Sequence, residues 1–273
     1  MFTLLAVDLD GTLLRNDHTI SDFSADTLIH AQKKGLTVAL CTGRPTDGAR
    51  HIAERLRLHE FGGFLIGYNG GEIIECKNNK VIRDLLLPDG VLPKIVQFAQ
   101  SLQTDIVTFC DGHIIATSDT NPFILRSSVR NKMNIVKSAN WLKAAEGLPL
   151  HKCMLVGDPK RLIPMELQVK MAFDGVLEAF CSEPQFLEFT PLGINKGDGL
   201  QWLMNHLNLS PSEVIAFGDT PGDIPMLRLA GLGVAMANAP ESVKAIADTI
   251  APSNVEDGVA RMLEKLLWHE MDF

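Results

Sequence analysis

Cysteine is scarce in this chain and scattered: Cys41, Cys76, Cys110, Cys153 and Cys181 never form a CxxC pair. That spacing argues against a disulfide framework or a cysteine zinc site and suits a reducing cytoplasm. Cys41 adjoins Thr42 but reads as a small core residue. The eight histidines show no HExxH or comparable ligand spacing and read as scattered surface or satisfied interior residues. There is no GxxxxGK loop, and "GLGVAM" has Met236 where a dinucleotide fingerprint needs its third glycine. No apolar run is long enough to span a bilayer. The N-terminal "MFTLLAVDLD" lacks a basic n-region and meets Asp8 too early for a signal peptide, so a cytoplasmic protein is expected. Basic runs are missing too, and the formal net charge is −8. Nucleic acid and anionic membrane are therefore poor partners, which leaves small anions held by local cations or a metal.

What is present is an alternation of apolar runs and amphipathic segments. "TLLAVDL", "LTVALC" and "GGFLIG" read as buried strands, separated by the helical patterns "SDFSADTLIHAQKKG", with Ser21 as N-cap, and "PTDGARHIAERLRL". The same pattern returns after about residue 190, with "NKGDGLQWLMNHL", "EVIAFG", "GDIPMLRLA" and "LGVAMAN". Such alternation predicts an α/β fold built on a doubly wound, Rossmann-like parallel sheet. The intervening segment reads differently, with a β-hairpin predicted at Asp111-Gly112 and a plain turn at "GDPKR". The expected organisation is a catalytic core of residues 1–83 and 190–273, with an inserted α+β cap domain of residues 84–189.

Asp8 and Asp10 end the first apolar run, at the edge where a parallel sheet binds ligands. Residues two apart on a strand share a face, so the carboxylates tend to converge, although the chain is already turning there. Like charges in close quarters need a shared proton or a cation. Magnesium meets that need and also neutralises an incoming phosphate. One carboxylate can then attack phosphorus while the other transfers protons. Other strand ends supply complementary groups. "TGR" at Thr42 offers a hydroxyl and backbone donors to phosphate, or an N-cap before Pro45. Lys196 opens a helix, and "GDTPGD" adds Asp219 and Asp223.

Taken in order, "DLDGTLL", "TGR", "INKGDGL" and "GDTPGDIPML" resemble the four motifs of the haloacid dehalogenase superfamily. The resemblance is to its Cof-like phosphatases, which carry a large cap between the second and third motifs. It implies Asp8 as nucleophile and Asp10 as general acid/base. It implies Mg2+ held by the Asp8 carboxylate, the Asp10 backbone carbonyl and Asp219, with Asp223 supporting the metal shell. Phosphate would meet the Leu9 backbone, Thr42, Gly43 and Lys196. The implied function is a magnesium-dependent phosphatase acting on small phosphorylated metabolites such as sugar phosphates. A phosphomutase and a catalytically weak phosphate-binding regulatory protein are the rival readings. Two positions depart from the family pattern: Ala237 replaces a common glycine, and Gly222 stands where relatives carry asparagine. Gly222 either leaves a phosphate contact unmade or answers a backbone need for glycine. In the expected cap, Arg126, Arg130 and Lys132 either meet a second anionic group or form a solvated basic face.

Overall fold

The computed structural model describes residues 2–267. The first part of the chain forms strands β1 (Leu4–Asp8), β2 (Thr37–Cys41), β3 (Phe64–Gly67), β4 (Glu72–Glu75) and β5 (Lys80–Asp84). The middle forms β6 (Asp105–Cys110), β7 (His113–Ala116), β8 (Asn134–Lys137), β9 (Cys153–Val156), β10 (Leu177–Glu183) and β11 (Phe186–Pro191). The last part returns with β12 (Val214–Gly218), β13 (Leu232–Met236) and β14 (Thr249–Ala251). The chain divides into two compact units, residues 1–83 with 195–273, and residues 84–194. The inserted unit runs past residue 189 because β11 continues through Pro191.

In the first unit one sheet has the order β14-β13-β12-β1-β2-β3-β4-β5. The strands from β14 to β3 are parallel, and β4 pairs antiparallel to β3. Alternation along β1 sends Leu5 and Val7 into one core cluster and Leu4 and Ala6 into another. The first cluster includes Leu28, Ile52 and Leu263, from helices Asp22–Lys33, Thr46–Arg55 and Gly258–Leu267. The second includes Leu203 and Met226, from helices Lys196–Leu207 and Ile224–Leu229. Both sheet faces are thus covered, as the unbroken apolar runs require. Ser21 caps the first helix as expected, its hydroxyl accepting from Ser24 N at 2.9 Å.

The second unit holds a six-stranded sheet in the order β10-β11-β9-β6-β7-β8. Asp111 and Gly112 join β6 to β7 with φ of 48° and 72°. Two positive φ values fit the primed turn that an Asp-Gly hairpin favours. Asp158 of "GDPKR" caps the short helix Pro159–Leu162, accepting from Lys160 N. Arg126 and Arg130 both pair with Glu183, at 2.6 and 3.1 Å, so these two cations are engaged within their own unit. Lys132 ends helix Pro122–Asn131 in the left-handed region. Among the described residues no helix is long and apolar enough to cross a membrane.

Candidate active site

β1 lies between β12 and β2, and the chain winds outward in opposite directions from this point. The carboxyl edge beside such a switch point is where open α/β sheets bind ligands. Asp8 is the last residue of β1, and the chain then folds back on itself. Leu13 N donates to Asp8 O at 3.2 Å and Leu14 N to Leu9 O at 2.8 Å. Gly11 makes the turn at φ 84°, and a Cβ there would sit 2.3 Å from Asp219 Oδ2. Only glycine allows this loop to lie against the Asp219 carboxylate.

Lys196 is the first residue of its helix, behind the N-cap Asn195, which accepts from Asp198 N. Its Nζ donates to Asp8 Oδ1 and to Asp223 Oδ1, each at 2.6 Å. Asp223 is fully buried, and its Oδ2 accepts from Asp219 N at 3.0 Å, Thr220 N at 2.8 Å and Thr220 Oγ1 at 2.9 Å. Thr12 Oγ1 donates to Asp219 Oδ1 at 2.8 Å. Asn238 Nδ2 donates to Gly11 O at 2.8 Å and so ties the same loop from the β13 side. One oxygen each from Asp8, Asp219 and Asp223 lies within 4.8 Å of the others. Three carboxylates therefore face a single ammonium, a donor set able to hold a hard cation.

Electrostatics follow from that imbalance. Burial pushes the Asp8 carboxyl up to about 8, and the charges of Asp223 and Asp219 add to the rise against the pull of Lys196. Burial also lifts Asp219, to about 6, although the Thr12 hydrogen bond opposes it. Burial opposes the charge on Lys196, but Asp223 and Asp8 outweigh it and leave the ammonium well above its ordinary value. Cys41 is pushed up to about 12, chiefly by burial, which keeps it a neutral core thiol.

Asp10 pairs with another cation, Arg44. Arg44 Nε donates to Asp10 Oδ2 at 2.7 Å while Arg44 Nη2 donates to Oδ1. His18 Nδ1 lies 2.9 Å from the same Oδ1. His18 is an exposed residue, as the reading of the histidines allows, but it has a partner at this site. No spacing rule could find it, because a turn at a left-handed residue brings it back to Asp10. Thr42 is not a helix cap either: Pro45 holds that position, and Thr42 Oγ1 accepts from Arg44 N at 3.1 Å. Thr42 is buried beside Gly43, where a Cβ would come within 3.0 Å of Asn69 Oδ1. Thr12, His18, Arg44 and Asn238 are site neighbours to which sequence reasoning assigned no role. Arg44 had a signal, its place in "TGR", but only the hydroxyl and backbone donors of that motif carried a role.

The chain matches the family model for haloacid dehalogenase-like hydrolases over residues 5–263. It belongs to that family. It is an enzyme of the superfamily, a hydrolase of the phosphatase type. It is similar to the 5-amino-6-(5-phospho-D-ribitylamino)uracil phosphatase YcsE of Bacillus subtilis, with 33% identity over 95% of this chain and 94% of that protein. It is also similar to a haloacid dehalogenase-like hydrolase from Bacteroides thetaiotaomicron of known crystal structure. That match has a TM-score of 0.94 and 38% identity, covering 98% of this chain and all of the other. TM0651 from Thermotoga maritima matches with a TM-score of 0.85 and 26% identity, over 97% of this chain and 98% of that one.

Proposed function

We propose that this hydrolase is a magnesium-dependent phosphatase of small phosphorylated metabolites, working through a phosphoaspartate at Asp8. The observation that carries the proposal is the buried group at the β1 and β12 ends. There Asp8 touches Lys196, and the acids Asp219 and Asp223 close the same space. The donor chemistry fits the ion: the clustered carboxylates are hard oxygen ligands, and their charge exceeds that of Lys196. Asp8, Asp219 and the Asp10 backbone carbonyl would hold it, and Asp223 would fix the Asp219 loop and Lys196. When bound, magnesium supplies positive charge against the phosphoryl oxygens and the Asp8 carboxylate.

The protein's own residues carry the steps. Asp8 attacks phosphorus as a carboxylate; the bond to the leaving oxygen breaks, and Asp10 gives that oxygen its proton. Water then attacks phosphorus of the acyl phosphate, Asp10 takes the water's proton, and the Asp8–phosphorus bond breaks to release phosphate. The Arg44 fork grips both Asp10 oxygens and so fixes where that proton is given and received. Lys196, with Thr42, Gly43 and the Leu9 backbone, would hold the transferring group.

For the leaving group, an alkyl chain rich in hydroxyls is the favoured class. The support is the named substrate of the Bacillus subtilis relative, a phosphorylated ribityl compound. Residues 84–194, as a cap, would select it. Turnover of 4-nitrophenyl phosphate with magnesium, followed by a screen of sugar and alditol monophosphates, tests the reading. Magnesium-dependent release of phosphate is expected. Binding of phosphate esters without release supports the regulatory alternative, and phosphate returned to the substrate at a new position supports the mutase.

A further inference from the structure

Asp10 is held at both oxygens by groups outside the Asp8 cluster. The Arg44 guanidinium reaches one oxygen through Nε at 2.7 Å and the other through Nη2, a two-pronged grip that fixes the carboxylate plane. Arg44 itself is anchored at both ends of its backbone unit. Its N donates to Thr42 Oγ1 at 3.1 Å, and its carbonyl accepts from Tyr68 N at 2.9 Å. Its side chain is 3% exposed against 21% for Asp10, so the buried, pinned partner holds the open one.

His18 meets the same Oδ1 that Arg44 Nη2 reaches, its Nδ1 3.5 Å from that nitrogen. Its Nδ1 lies 2.9 Å from Asp10 Oδ1, and the Nδ1-protonated tautomer would donate there. His18 has φ 62°, and its N donates to Arg15 O at 2.9 Å, so its backbone is fixed in a conformation few side chains adopt. A free aspartate turns about two bonds. The fork fixes the carboxylate plane, and the His18 ring adds a third contact at the Oδ1 end.

We propose that Arg44 and His18 are positioning residues that aim the Asp10 carboxyl at the leaving oxygen. The inference rests on the proton-transfer role given to Asp10 above. Proton donation matters little for an activated leaving group and much for a poor one, so aim is read in the leaving-group dependence. A merely structural role would lower all substrates alike.

The experiment measures kcat/KM on 4-nitrophenyl phosphate and phenyl phosphate, two esters of similar shape, with thermal melting of each protein. The variants are Arg44→Lys, which keeps the charge and loses the fork, His18→Gly and His18→Asn. Glycine keeps the left-handed backbone without the ring, and asparagine tolerates that backbone while offering an amide donor. Arg44→Lys and His18→Gly are expected to lose roughly tenfold or more extra on phenyl phosphate, and His18→Asn to recover part of that loss. Equal losses on both esters, or no loss, overturn the proposal. If Arg44→Lys does not fold, the two substitutions at the more exposed His18 decide the same question. The wild type separates the two levels: no turnover of either ester refutes the phosphatase reading, whereas turnover with even losses refutes only the positioning.

Discussion

Lys196 Nζ donates to Asp8 Oδ1 at 2.6 Å, joining a helix N-terminus to the end of the central strand across 188 positions of sequence. Both side chains are nearly buried, and the same ammonium also serves Asp223. Removing one partner of such a buried pair leaves charge without compensation, at a cost of about 3–5 kcal/mol.

Lys196→Met should therefore lower the urea-derived stability by about that amount at pH 8, where Asp8 begins to carry its charge. The loss should shrink at pH 5, because Asp8, pushed up to about 8, is then neutral. Turnover of the aryl phosphate should fall at least about a hundredfold, a loss of about 2.7 kcal/mol in transition-state stabilisation. Equal destabilisation at both pH values would contradict the assignment of Asp8 as the acid that gives way.

Raised acids also set the pH dependence of the metal-free protein. Asp8 rises from an ordinary 3.8 to about 8 and Asp219 to about 6, so the folded state binds protons more tightly than the unfolded chain. Their contribution is fully present below pH 3.8 and is lost as pH rises through about 6 and then about 8. In EDTA the melting temperature should carry a declining component across that window. Asp8→Asn should flatten it, and magnesium should restore stability most at the alkaline end. A melting temperature that falls identically in wild type and Asp8→Asn would refute this origin.

Gly222 is not held by the backbone. It has no positive φ, and a Cβ there would meet nothing nearer than Thr220 Oγ1 at 3.6 Å. Of the two explanations for the missing asparagine, the steric one therefore falls away. Gly222→Asn should keep or slightly raise stability, since glycine loses the most freedom on folding. An amide on a charged phosphoryl oxygen contributes roughly 1.5–3 kcal/mol, so catalytic efficiency should rise about ten- to a hundredfold. Retained stability with unchanged or lower efficiency would contradict the missing-contact account.

Much of the core unit was legible because its signals are local. Unbroken apolar runs marked β1, β2 and β12, and the Asp-Gly pair marked the β6–β7 turn. Asp8, Lys196, Asp219 and Asp223 were legible as motif members, and the fold brings them to one sheet edge. The partners of Asp10 were not. Arg44 and His18 meet it through side-chain hydrogen bonds set by turns on either side, and no hydrophobic period or residue spacing encodes such contacts. Arg126 and Arg130 were legible only as basic residues, suited to an anion site or a solvated face; the carboxylate they share, Glu183, lies 57 and 53 positions away in sequence.

The phosphoaspartate at Asp8 is the claim on which the rest depends. Wild-type protein mixed with 4-nitrophenyl phosphate and magnesium, acid-quenched during turnover and reduced with borohydride, would convert an acyl phosphate to the homoserine side chain. Asp8 and Asp10 lie in one tryptic peptide, Met1 to Arg15, and fragment masses separate them. Homoserine at position 8, absent when substrate is omitted, is the predicted result. Homoserine at position 10, or an unmodified peptide recovered from protein that is turning over, would contradict the account.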